Sequence, residues 1–470
     1  MYTLIDSRIL DVNAEVLGVN METLMDNAGN AVADFVLSLN PKRVLVACGS
    51  GNNGGDGYTA AARLLKHGIE VYVNPVLPPA SELCKKKYES FLKAGGKIDE
   101  SGDFGKFDVV VDALLGVGIS GTPREPYSSY IRRLNESGAR IISVDVPSGL
   151  STEIAVRPQY TVTMQFQKDL MNRSNSGIIT VADVGFPKDA LEMIGPGDLL
   201  ALPESERSSH KGDNGICVIV GGSNEYFGAP IYVAKSALRM GPDLVILFAP
   251  EKIHQLIGSN LQDIILHKSG MEKIEFNYDL MKTIKERADS IAIGPGISKR
   301  KGATEEAAKI IDYSLSLNKK IVIDADALLA VESVDDFRGN VVLTPHRGEF
   351  SSLFHMEPNE DNARKVAGKI NAVILLKGET DIVTDGEILK KNRSYHHQSM
   401  TRGGTGDLIT GAVAGLLSRK VDPLHSAFLA SYLVGYAGLI AFRSKDYGYM
   451  TSEIADIIPE ILISGKKQNS

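Results

Sequence analysis

The stretch from Met400 to Gly415, MTRGGTGDLITGAVAG, joins polar, glycine-rich residues to the start of an apolar helix. Gly403, Gly404 and Gly406 can leave backbone N–H groups bare and adopt positive φ angles, and Asp407 is expected in the first helical turn. Bare N–H groups at a helix N-terminus favour phosphate, or the charge that builds as a phosphoryl group moves. A carboxylate there repels phosphate, so Asp407 is best explained as a base that takes a proton from a hydroxyl group. A helix cap with close helix packing accounts for the Asp and one glycine, but not for Gly-Gly-Thr-Gly-Asp as a unit.

Other strand ends in the second half of the chain also carry polar groups. Glycines at 294 and 296 follow one predicted strand, Asp324 and Asp326 another, and Thr344-Pro345-His346 a third. A lone His after such a turn is usually a turn residue, but opposite the Asp407 loop we expect His346 to contact substrate. Lys377-Gly378 ends a fourth strand, where the lysine is either solvated or in contact with phosphate. The adjacent His396 and His397 lack a third ligand at metal spacing and are predicted to be surface residues.

The first half of the chain brings a second set of polar residues to strand ends. The strand Lys42 to Cys48 leads into the glycine-rich segment 49–57, GSGNNGGDG, followed by a predicted helix from Tyr58 to His67. Two further strands end in Asp112 and Asp145. Any one strand-terminal Asp is more often a turn former. Their recurrence at one edge predicts a functional crevice, because ligands of doubly wound sheets bind at the carboxyl ends of the strands. The residues expected around it are Asn52, Asn53, Asp56, Asp112, Asp145 and Ser148.

The crevice does not have the glycine order of a dinucleotide-binding loop. The oxygen atoms of Asn53, Asp112 and Ser148 are hard ligands, which suit an alkali or alkaline-earth cation better than zinc. Spacing alone leaves a cation site and ordinary turn residues equally open.

Alternation of strands and helices predicts an α/β protein with two parallel sheets wrapped in helices. In the first half we expect a helix from Glu15 to Leu37 and six strands in addition to intervening helices. The strands are predicted at 42–48, 70–74, 107–112, 140–145, 160–164 and 177–184. In the second half we expect strands at 216–220, 244–248, 290–293, 320–323, 341–343 and 372–376. A polar, proline-marked joint separates the halves, and the predicted domains are residues 1–203 and 204–470.

Composition narrows the classes of function. A length of 470 residues suits two domains, and a net charge of −7 without a basic stripe makes nucleic acid an unexpected partner. Three widely spaced cysteines suit a reduced, cytoplasmic compartment, and Asp6 and Arg8 interrupt the run that a signal peptide needs. The apolar stretch from Leu424 to Phe442 contains polar residues and glycines, so a buried helix is expected rather than a membrane span. Apolar helices allow a homo-oligomer, which we expect.

The ordered motifs resemble a known family. The segments GNNGGDG, DALLGVGISG and DVPSG are similar to those of the NAD(P)H-hydrate epimerase domain, which is Rossmann-like. The segments HKGDNG, GGS, GAP, GPG, DADAL, TPHRGE, KG and GGTGD are similar to those of the ADP/ATP-dependent NAD(P)H-hydrate dehydratase, which is ribokinase-like. The chain therefore resembles the fused, bifunctional repair enzyme over nearly its whole length.

This resemblance implies roles for particular residues of the first domain. It would interconvert the R and S hydrates of NAD(P)H, with Asp145 as substrate contact and acid/base and with K⁺ held by Asn53, Asp112 and Ser148. The other implied substrate contacts are Asn52, Asn53, Gly54, Gly55, Asp56, Gly116, Val117, Gly118, Ile119, Ser120, Gly121 and Thr122.

In the second domain, the resemblance implies dehydration of the S hydrate by phosphorylation of its hydroxyl group and elimination of phosphate. Asp407 would be the base. Ala229, Gly296, His346 and Asp407 would contact the hydrate. Contacts to ADP or ATP, accompanied by Mg²⁺, would come from Lys377, Gly378, Glu379, Thr380, Asp381 and Gly406.

One alternative is a ribokinase-superfamily kinase for a vitamin precursor, fused to a non-catalytic Rossmann-like binding module. The glycine loop with Asp407 also serves ordinary phosphoryl transfer. Thr344-Pro345-His346 with Asp324-Ala325-Asp326 favours the dehydratase. Retention of Asn53, Asp112, Asp145 and Ser148 argues against a mere scaffold.

Overall fold

The computed structural model describes residues 2–99, 101–118, 121–298, 302–331 and 334–468. The chain forms two compact units, Met1–Leu191 and Glu192–Ser470. Ile194 donates its N–H to Lys391, and Asp198 pairs with Lys390, so the connecting segment packs with the second unit. The domain bounds 1–203 and 204–470 stay a prediction.

The first unit is a seven-stranded, wholly parallel sheet in the order β3-β2-β1-β4-β5-β6-β7. The strands are β1 Arg43–Cys48, β2 Glu70–Pro75, β3 Lys97–Ile98, β4 Val109–Ala113, β5 Arg140–Val144, β6 Tyr160–Met164 and β7 Ile178–Ala182. The helices are α1 Leu4–Val16, α2 Met21–Ser38, α3 Asn52–Lys66, α4 Glu82–Lys93, α5 Tyr127–Glu136, α6 Arg173–Ser176 and α7 Lys188–Leu191, with a 3₁₀ turn at Phe104–Lys106. The strand order reverses between β1 and β4, which makes this unit doubly wound.

Both faces of this sheet are buried, as its apolar strands predict. Along β1, Val44, Val46 and Cys48 pack into one core, while Leu45 and Ala47 pack into the core on the opposite face.

The second unit is a nine-stranded sheet in the order β10-β9-β8-β11-β12-β13-β14-β15-β16. The strands are β8 Ile216–Val220, β9 Leu244–Ala249, β10 Ile265–Lys268, β11 Ser290–Ile293, β12 Lys320–Ile323, β13 Val341–Leu343, β14 Val373–Leu376, β15 Asp381–Thr384 and β16 Leu389–Asn392. All pairs are parallel except β14 with β15 and β15 with β16. The order reverses between β8 and β11.

Nine helices cover this sheet in the described part of the chain: α8 Gly228–Arg239, α9 His254–Asn260, α10 Tyr278–Glu286, α11 Ala303–Ser316, α12 Arg347–Phe354, α13 Glu360–Ile370, α14 Thr405–Ser418, α15 Pro423–Lys445 and α16 Thr451–Gln468. Short 3₁₀ turns lie at Pro196–Ala201, Glu251–Ile253, Ala325–Val331, Gln398–Met400 and Asp446–Gly448. Among the described residues, α15 with the turn after it is long and apolar enough to cross a membrane, and 83% of its apolar window is buried inside the structure. The expectation of a buried helix is confirmed.

Two sequence-based helix boundaries are wrong. The helix expected from Glu15 to Leu37 is two helices, because Gly18 adopts a φ of +77° and Asn20 caps α2 by accepting from the N–H groups of Glu22 and Thr23. The helix expected from Tyr58 starts at Asn52, so the asparagines and glycines form its first turns rather than a loop.

The sequence did not predict the hairpin formed by β15 and β16, because two consecutive lysines in β16 are not typical of a buried strand. Lys390 and Lys391 are each 5% exposed. Lys390 pairs with Asp198, and Lys391 pairs with Glu192 and Glu360. Ion pairing lets these side chains be buried on a strand that composition alone assigns to a loop.

Candidate functional sites

The crevice expected in the first unit lies at the carboxyl ends of β1 and β4, the neighbouring strands at which the strand order reverses. The N–H of Gly49 donates to the carbonyl oxygen of Ala113, and a β-carbon at Gly49 would lie only 1.8 Å from the carbonyl oxygen of Leu114. The loops after the two strands therefore touch. Asn53, in the first turn of α3, lies beside the second loop: a β-carbon at Gly116 would be 3.4 Å from its Cβ.

The glycines of this segment allow α3 to pack closely. A β-carbon at Gly54 would lie 2.0 Å from the carbonyl oxygen of Gly49, and one at Gly57 would lie 2.6 Å from Ala113 Cβ. At Gly55, a β-carbon would meet Met25 Sδ at 2.7 Å. Gly54 and Gly55, predicted to contact substrate, are buried and serve the packing of the helix start.

The carboxylate of Asp112 is fully buried and receives four donors. Its Oδ1 accepts from Ser148 Oγ at 2.6 Å and from Leu114 N at 3.3 Å. Its Oδ2 accepts from Ser143 Oγ at 2.7 Å and from Ser148 N at 3.0 Å. Burial raises the pKa of Asp112, and these hydrogen bonds oppose that rise.

Asp145 follows β5 with a φ of +62°, a strained angle for a residue other than glycine. Its carboxylate forms an ion pair with Lys168, whose side chain is 1% exposed, and accepts from Met164 N at 3.0 Å. Lys168 also donates to Thr163 Oγ1 at 2.8 Å and to the carbonyl oxygen of Met164 at 3.1 Å. The structure thus holds the Asp145 carboxylate in a fixed position while leaving it 13% exposed.

The negative charge of Asp145 contributes to raising the pKa of two other carboxyl groups, Asp56 and Asp11. Burial, with Asp145 and Asp11 adding to it, raises the pKa of Asp56 well above its usual range. Asp11 lies on an exposed position of α1, but protein atoms crowd its carboxyl group. That desolvation and the charge of Asp145 raise its pKa to about 7, against the attraction of Lys168.

Several buried polar atoms of this unit have no hydrogen-bond partner among the described residues. They include Asn53 Nδ2, Ser7 Oγ, Thr59 Oγ1 and Gln165 Oε1. Unpaired buried polar groups are costly, and of these four Asn53 lies beside the loop after β4.

The glycine-rich loop after β4 is open to solvent. Gly116 and Val117 are half-buried, whereas Gly118, Gly121 and Thr122 are exposed. Ile119 and Ser120, predicted to contact substrate, lie outside the described residues.

In the second unit, the loops after β8 and β11 meet at the reversal of strand order. The N–H of Gly222 donates to the carbonyl oxygen of Pro295 at 3.0 Å. Gly296 has a φ of +73°, and a β-carbon there would lie 3.3 Å from Ala229 Cβ and 2.5 Å from the carbonyl oxygen of Tyr226. Ala229 and Gly296 are therefore brought together, as the resemblance implies.

Helix α14 starts within the glycine loop, and Gly404 is its N-cap with a φ of +91°. The N–H groups of Gly406 and Asp407 lie in the first turn, where an α-helix provides them no intrahelical acceptor. Thr405 Oγ1 is buried without a partner among the described residues. Of the three loop glycines, only Gly404 has the positive φ that the sequence suggested.

Hydrogen bonds to the segment from Tyr447 to Thr451 fix the glycine loop that precedes α14. Arg402 donates to the carbonyl oxygens of Tyr449 and Tyr447, and Thr451 Oγ1 donates to that of Gly403 at 3.0 Å. The guanidinium group of Arg402, next to a predicted phosphate site, is therefore used to fix the loop.

Asp407 is half-buried in the first turn of α14. Burial and the negative charge of Asp324 raise its pKa to about 7, and Lys377 opposes them. A carboxyl group with this pKa is half ionised at neutral pH, which suits a general base.

Lys377, after β14, donates to Asp324 Oδ1 at 2.7 Å. A β-carbon at Gly406 would lie 3.2 Å from its Nζ, so the ammonium group reaches the glycine loop. Asp324 was noted in the sequence only as part of a motif, and its side chain is 3% exposed. Burial, the largest single effect, lowers the pKa of Lys377, but Asp324, Glu349 and Asp407 together raise it above its usual value, so the lysine stays charged.

His346 lies on the loop next to Lys377, whose N–H donates to the carbonyl oxygen of Pro345. Its Nδ1 caps α12 by accepting from the N–H groups of Gly348 and Glu349. The Glu349 carboxylate accepts from His346 N, and its Oε1 is 3.3 Å from His346 Nε2. The ring is 60% exposed, so a turn role and a ligand contact are compatible.

The predicted nucleotide residues divide into two groups. Glu379 and Thr380 line an open cavity of about 420 Å³ together with Arg347, Glu360, Ile382 and Arg393. Asp381 points inward: it is 2% exposed and accepts from Gly378 N at 3.1 Å and from Ser431 Oγ at 2.7 Å. Its carboxylate therefore shapes the turn rather than facing solvent.

His396 and His397, predicted to be surface residues, are half-buried and so only partly exposed. His397 stacks on Phe442 with ring centroids 3.7 Å apart, and its Nδ1 accepts from Ser399 N.

Sequence patterns missed Lys168 and Asp11. Nothing marks Lys168 except its place shortly after the strand β6. Asp11 lies on α1, and no local pattern connects it with the strand ends. Tertiary packing brings Lys168 into an ion pair with Asp145 and brings Asp11 close enough for the charge of Asp145 to affect its pKa.

Comparison with known proteins agrees with the geometry. The sequence model of the NAD(P)H-hydrate dehydratase family matches residues 217–460, and that of the YjeF-related protein N-terminus matches residues 21–170. Bifunctional NAD(P)H-hydrate repair enzymes of Methanothermobacter thermautotrophicus and Archaeoglobus fulgidus are each 36% identical to this chain. The alignments cover 98% of the chain and 95% and 98% of those proteins.

Solved structures show the fold of the second unit. A ribokinase-like superfamily protein from Enterococcus faecalis has a TM-score of 0.51 and 23% identity, over 57% of this chain and 94% of its own. The ADP/ATP-dependent NAD(P)H-hydrate dehydratase of Bacillus subtilis, co-crystallised with ATP and Mg²⁺, has a TM-score of 0.50 and 24% identity, over 57% and 96%. The second unit has the ribokinase-like fold. From the family matches over both halves and these full-length relatives, the chain belongs to the bifunctional NAD(P)H-hydrate repair enzymes.

Proposed function

We propose that the first unit interconverts the R and S hydrates of NADH and NADPH, and that the second dehydrates the S form at the expense of ADP or ATP. The observation that carries the second activity is a carboxyl group with a pKa of about 7, Asp407, in the first turn of a helix that begins in a glycine loop. This pairs a base with an anion-binding helix end.

The hydroxyl oxygen of the hydrate attacks the terminal phosphorus of the nucleotide, and Asp407 takes the proton from that hydroxyl group. The bond from that phosphorus to its bridging oxygen breaks, and AMP leaves if ADP is the donor. First-turn N–H groups and the Lys377 ammonium stabilise the charge on the moving phosphoryl group. The ester C–O bond then breaks, phosphate departs with the electron pair, and loss of a proton from the neighbouring ring carbon restores the double bond. Phosphate leaves far more readily than hydroxide, which is why a nucleotide is consumed.

We place the hydrate against Ala229, Gly296, His346 and Asp407. The nucleotide would contact Lys377, Gly378, Glu379, Thr380 and Gly406. Asp381, whose carboxylate is turned inward, would act through the main chain of its turn.

Mg²⁺ would accompany the nucleotide and neutralise its phosphates. It commonly binds through one or two carboxylates with the substrate phosphates supplying further ligands. Within the described part of the chain no three His, Cys, Asp or Glu side chains cluster to hold a metal, which fits an ion that arrives with its phosphates.

In the first unit, Asp145 would be the acid/base. The R and S hydrates have opposite configurations at the carbon that bears the hydroxyl group. Their interconversion therefore requires a bond to that carbon to break and re-form, with transfer of a proton. Substrate would lie between the start of α3 (Asn52 to Asp56) and the loop from Gly116 to Thr122, beside the Lys168–Asp145 pair.

We propose that Asn53, Asp112 and Ser148 hold a potassium ion. Ser148 Oγ donates to Asp112 Oδ1 but has a second acceptor, the carbonyl oxygen of Leu115 at 3.2 Å. Turning the hydroxyl proton to that carbonyl would free a carboxylate lone pair for a cation. Asn53 would contribute its side-chain oxygen, whose position is not fixed by any hydrogen bond from Nδ2 among the described residues. The ion would balance the charge of Asp112 and anchor the two loops.

We also propose that the protein acts in the cytoplasm. Cys48, Cys84 and Cys217 are buried free thiols, which suits the reduced cytoplasm. A homo-oligomer stays a prediction.

The test is to incubate the full chain with an equal mixture of R and S hydrates, ADP and Mg²⁺, and to follow the absorbance of dihydronicotinamide. Full recovery at a rate above spontaneous epimerisation requires both units, whereas rapid recovery of half requires only the second. Consumption of ADP with a stable phosphorylated product would instead indicate an ordinary small-molecule kinase.

A further inference from the structure

Asp324 lies behind the second site, at the carboxyl end of β12. Both of its carboxylate oxygens are occupied: Oδ1 by Lys377 Nζ at 2.7 Å and Oδ2 by Thr410 Oγ1 at 2.5 Å. With a side chain 3% exposed, it has little access to a ligand. Its position makes it a support for groups that do reach the site.

Asp324 joins the two elements that carry the chemistry. Lys377 extends from β14 to the glycine loop, and Thr410 lies three residues after Asp407 on α14. One buried carboxylate therefore fixes the ammonium group and the helix of the base at the same time.

The alternative partner of the lysine is Asp407 itself. Lys377 is close enough to lower the pKa of Asp407, and Asp407 is close enough to raise that of Lys377. In the structure, however, the hydrogen bond of the ammonium group goes to Asp324. An ion pair between Lys377 and Asp407 would stabilise the carboxylate and make it a poorer proton acceptor.

On the basis of the proposed dehydration, we propose that Asp324 is a positioning residue that holds Lys377 at the glycine loop and prevents it from pairing with Asp407. The lysine then faces the phosphoryl group while the base stays free to accept the hydroxyl proton.

The charges that act on Asp407 support this division of roles. Asp324 raises its pKa and Lys377 lowers it, and Lys377 in turn faces Glu349. If Asp324 loses its charge, the lysine remains as the dominant neighbour, and the pKa of Asp407 falls. Thr410 contributes a neutral hydrogen bond and therefore affects geometry more than charge.

The experiment compares the full-length wild type with Asp324→Asn, using S hydrate, ADP and Mg²⁺ over pH 5 to 9. We expect kcat for dehydration to fall roughly 10- to 100-fold and the acid limb of its pH profile to move down by about one pH unit. Asp324→Glu, which keeps the charge, should restore the position of the acid limb even if kcat recovers only in part. Asp263→Asn, at an exposed carboxylate of the same unit, is the matched control and should leave both unchanged.

A wild-type acid limb that persists unshifted in a folded Asp324→Asn variant overturns the inference, whereas inactivity of the wild type itself would contradict the proposed function. Should Asp324→Asn fail to fold, Thr410→Val removes the 2.5 Å hydrogen bond without changing the charge. We then expect a KM for ADP several-fold higher, because the restraint on the Asp324–Lys377 pair is loosened. An unchanged KM in that variant would also contradict the inference.

Discussion

Lys168, almost completely buried, forms an ion pair with Asp145 beside the crevice of the first unit. A buried lysine keeps its charge only when a partner is fixed next to it, and here the carboxylate and two oxygen acceptors surround its ammonium group. Asp145 is in turn held in a backbone conformation that costs free energy. Lys168 and Asp145 therefore form a single ionic group beside the crevice.

Replacing Lys168 by Met should abolish interconversion of the hydrates while sparing dehydration of the S form. Without Lys168 the carboxylate of Asp145 loses the ion pair that positions it, and loss of one partner of a buried pair costs about 3–5 kcal/mol. Separate assays of R-to-S conversion and S dehydration, with a thermal melt, measure both effects. Lys66→Met, at an exposed lysine of α3, is the control. Unimpaired R-to-S conversion in the Lys168 variant would refute the role of the pair.

Asp145→Ala and Asp407→Ala should have opposite effects. The first should remove R-to-S conversion and keep dehydration, and the second should do the reverse, each by roughly 10²- to 10⁴-fold. Each variant serves as the folding control for the other, since the unaffected activity reports a folded chain. If both variants kept both rates, the assignment of the two carboxylates would be wrong.

The dehydration rate of the wild type should depend on pH near neutrality. The pKa of Asp407 is raised to about 7, so its basic form grows as pH rises through 7 and declines below it. We expect kcat to drop about tenfold per pH unit on the acid side. A profile measured on pure S hydrate, flat between pH 5 and 7, would rule out Asp407 as the base.

Gly406→Ala should weaken nucleotide binding, because its β-carbon would lie 3.2 Å from Lys377 Nζ and press on the ammonium group. We expect the KM for ADP to rise roughly tenfold, in line with the loss of one charged hydrogen bond. Gly258→Ala on α9 is the control, since a β-carbon there has nothing within 4 Å. Equal KM values for the two variants would show that the lysine does not contact the nucleotide.

Gly57→Ala should destabilise the first unit without touching a proposed catalytic group. Its β-carbon would lie 2.6 Å from Ala113 Cβ and 2.9 Å from Cys48 Sγ, both in the sheet. Overpacking of this kind costs about 1–3 kcal/mol. Denaturant unfolding and R-to-S activity near the melting temperature should both show the loss, while Gly68→Ala, strained but spatially free, separates backbone strain from crowding. A Gly57 variant as stable as the wild type would contradict the close approach of α3 to the sheet.

Most strands and the polar residues at their ends could be predicted from the sequence, because apolar runs followed by Asp or Gly are local patterns. Val341 to Leu343 with Thr344-Pro345-His346 shows this: the strand and its turn are contiguous in the chain. The start of α3 at Asn52 was missed because glycines are typical of loops. Here the glycines are required because the first turns of the helix pack too closely against the neighbouring strands to accommodate a β-carbon. Lys168, Asp11 and the full role of Asp324 depend on partners distant in sequence, which no local pattern contains.

The anchoring of the glycine loop by Arg402 and Thr451 bears on the speed of phosphoryl transfer. In the proposed mechanism the N–H groups of the loop would meet the moving phosphoryl charge. Because folding already orients them, little reorganisation would be needed at the moment of reaction. In water, solvent molecules would have to turn toward that charge during the barrier crossing. Here the hydrogen bonds between the glycine loop and the segment from Tyr447 to Thr451 already fix the orientation of the loop.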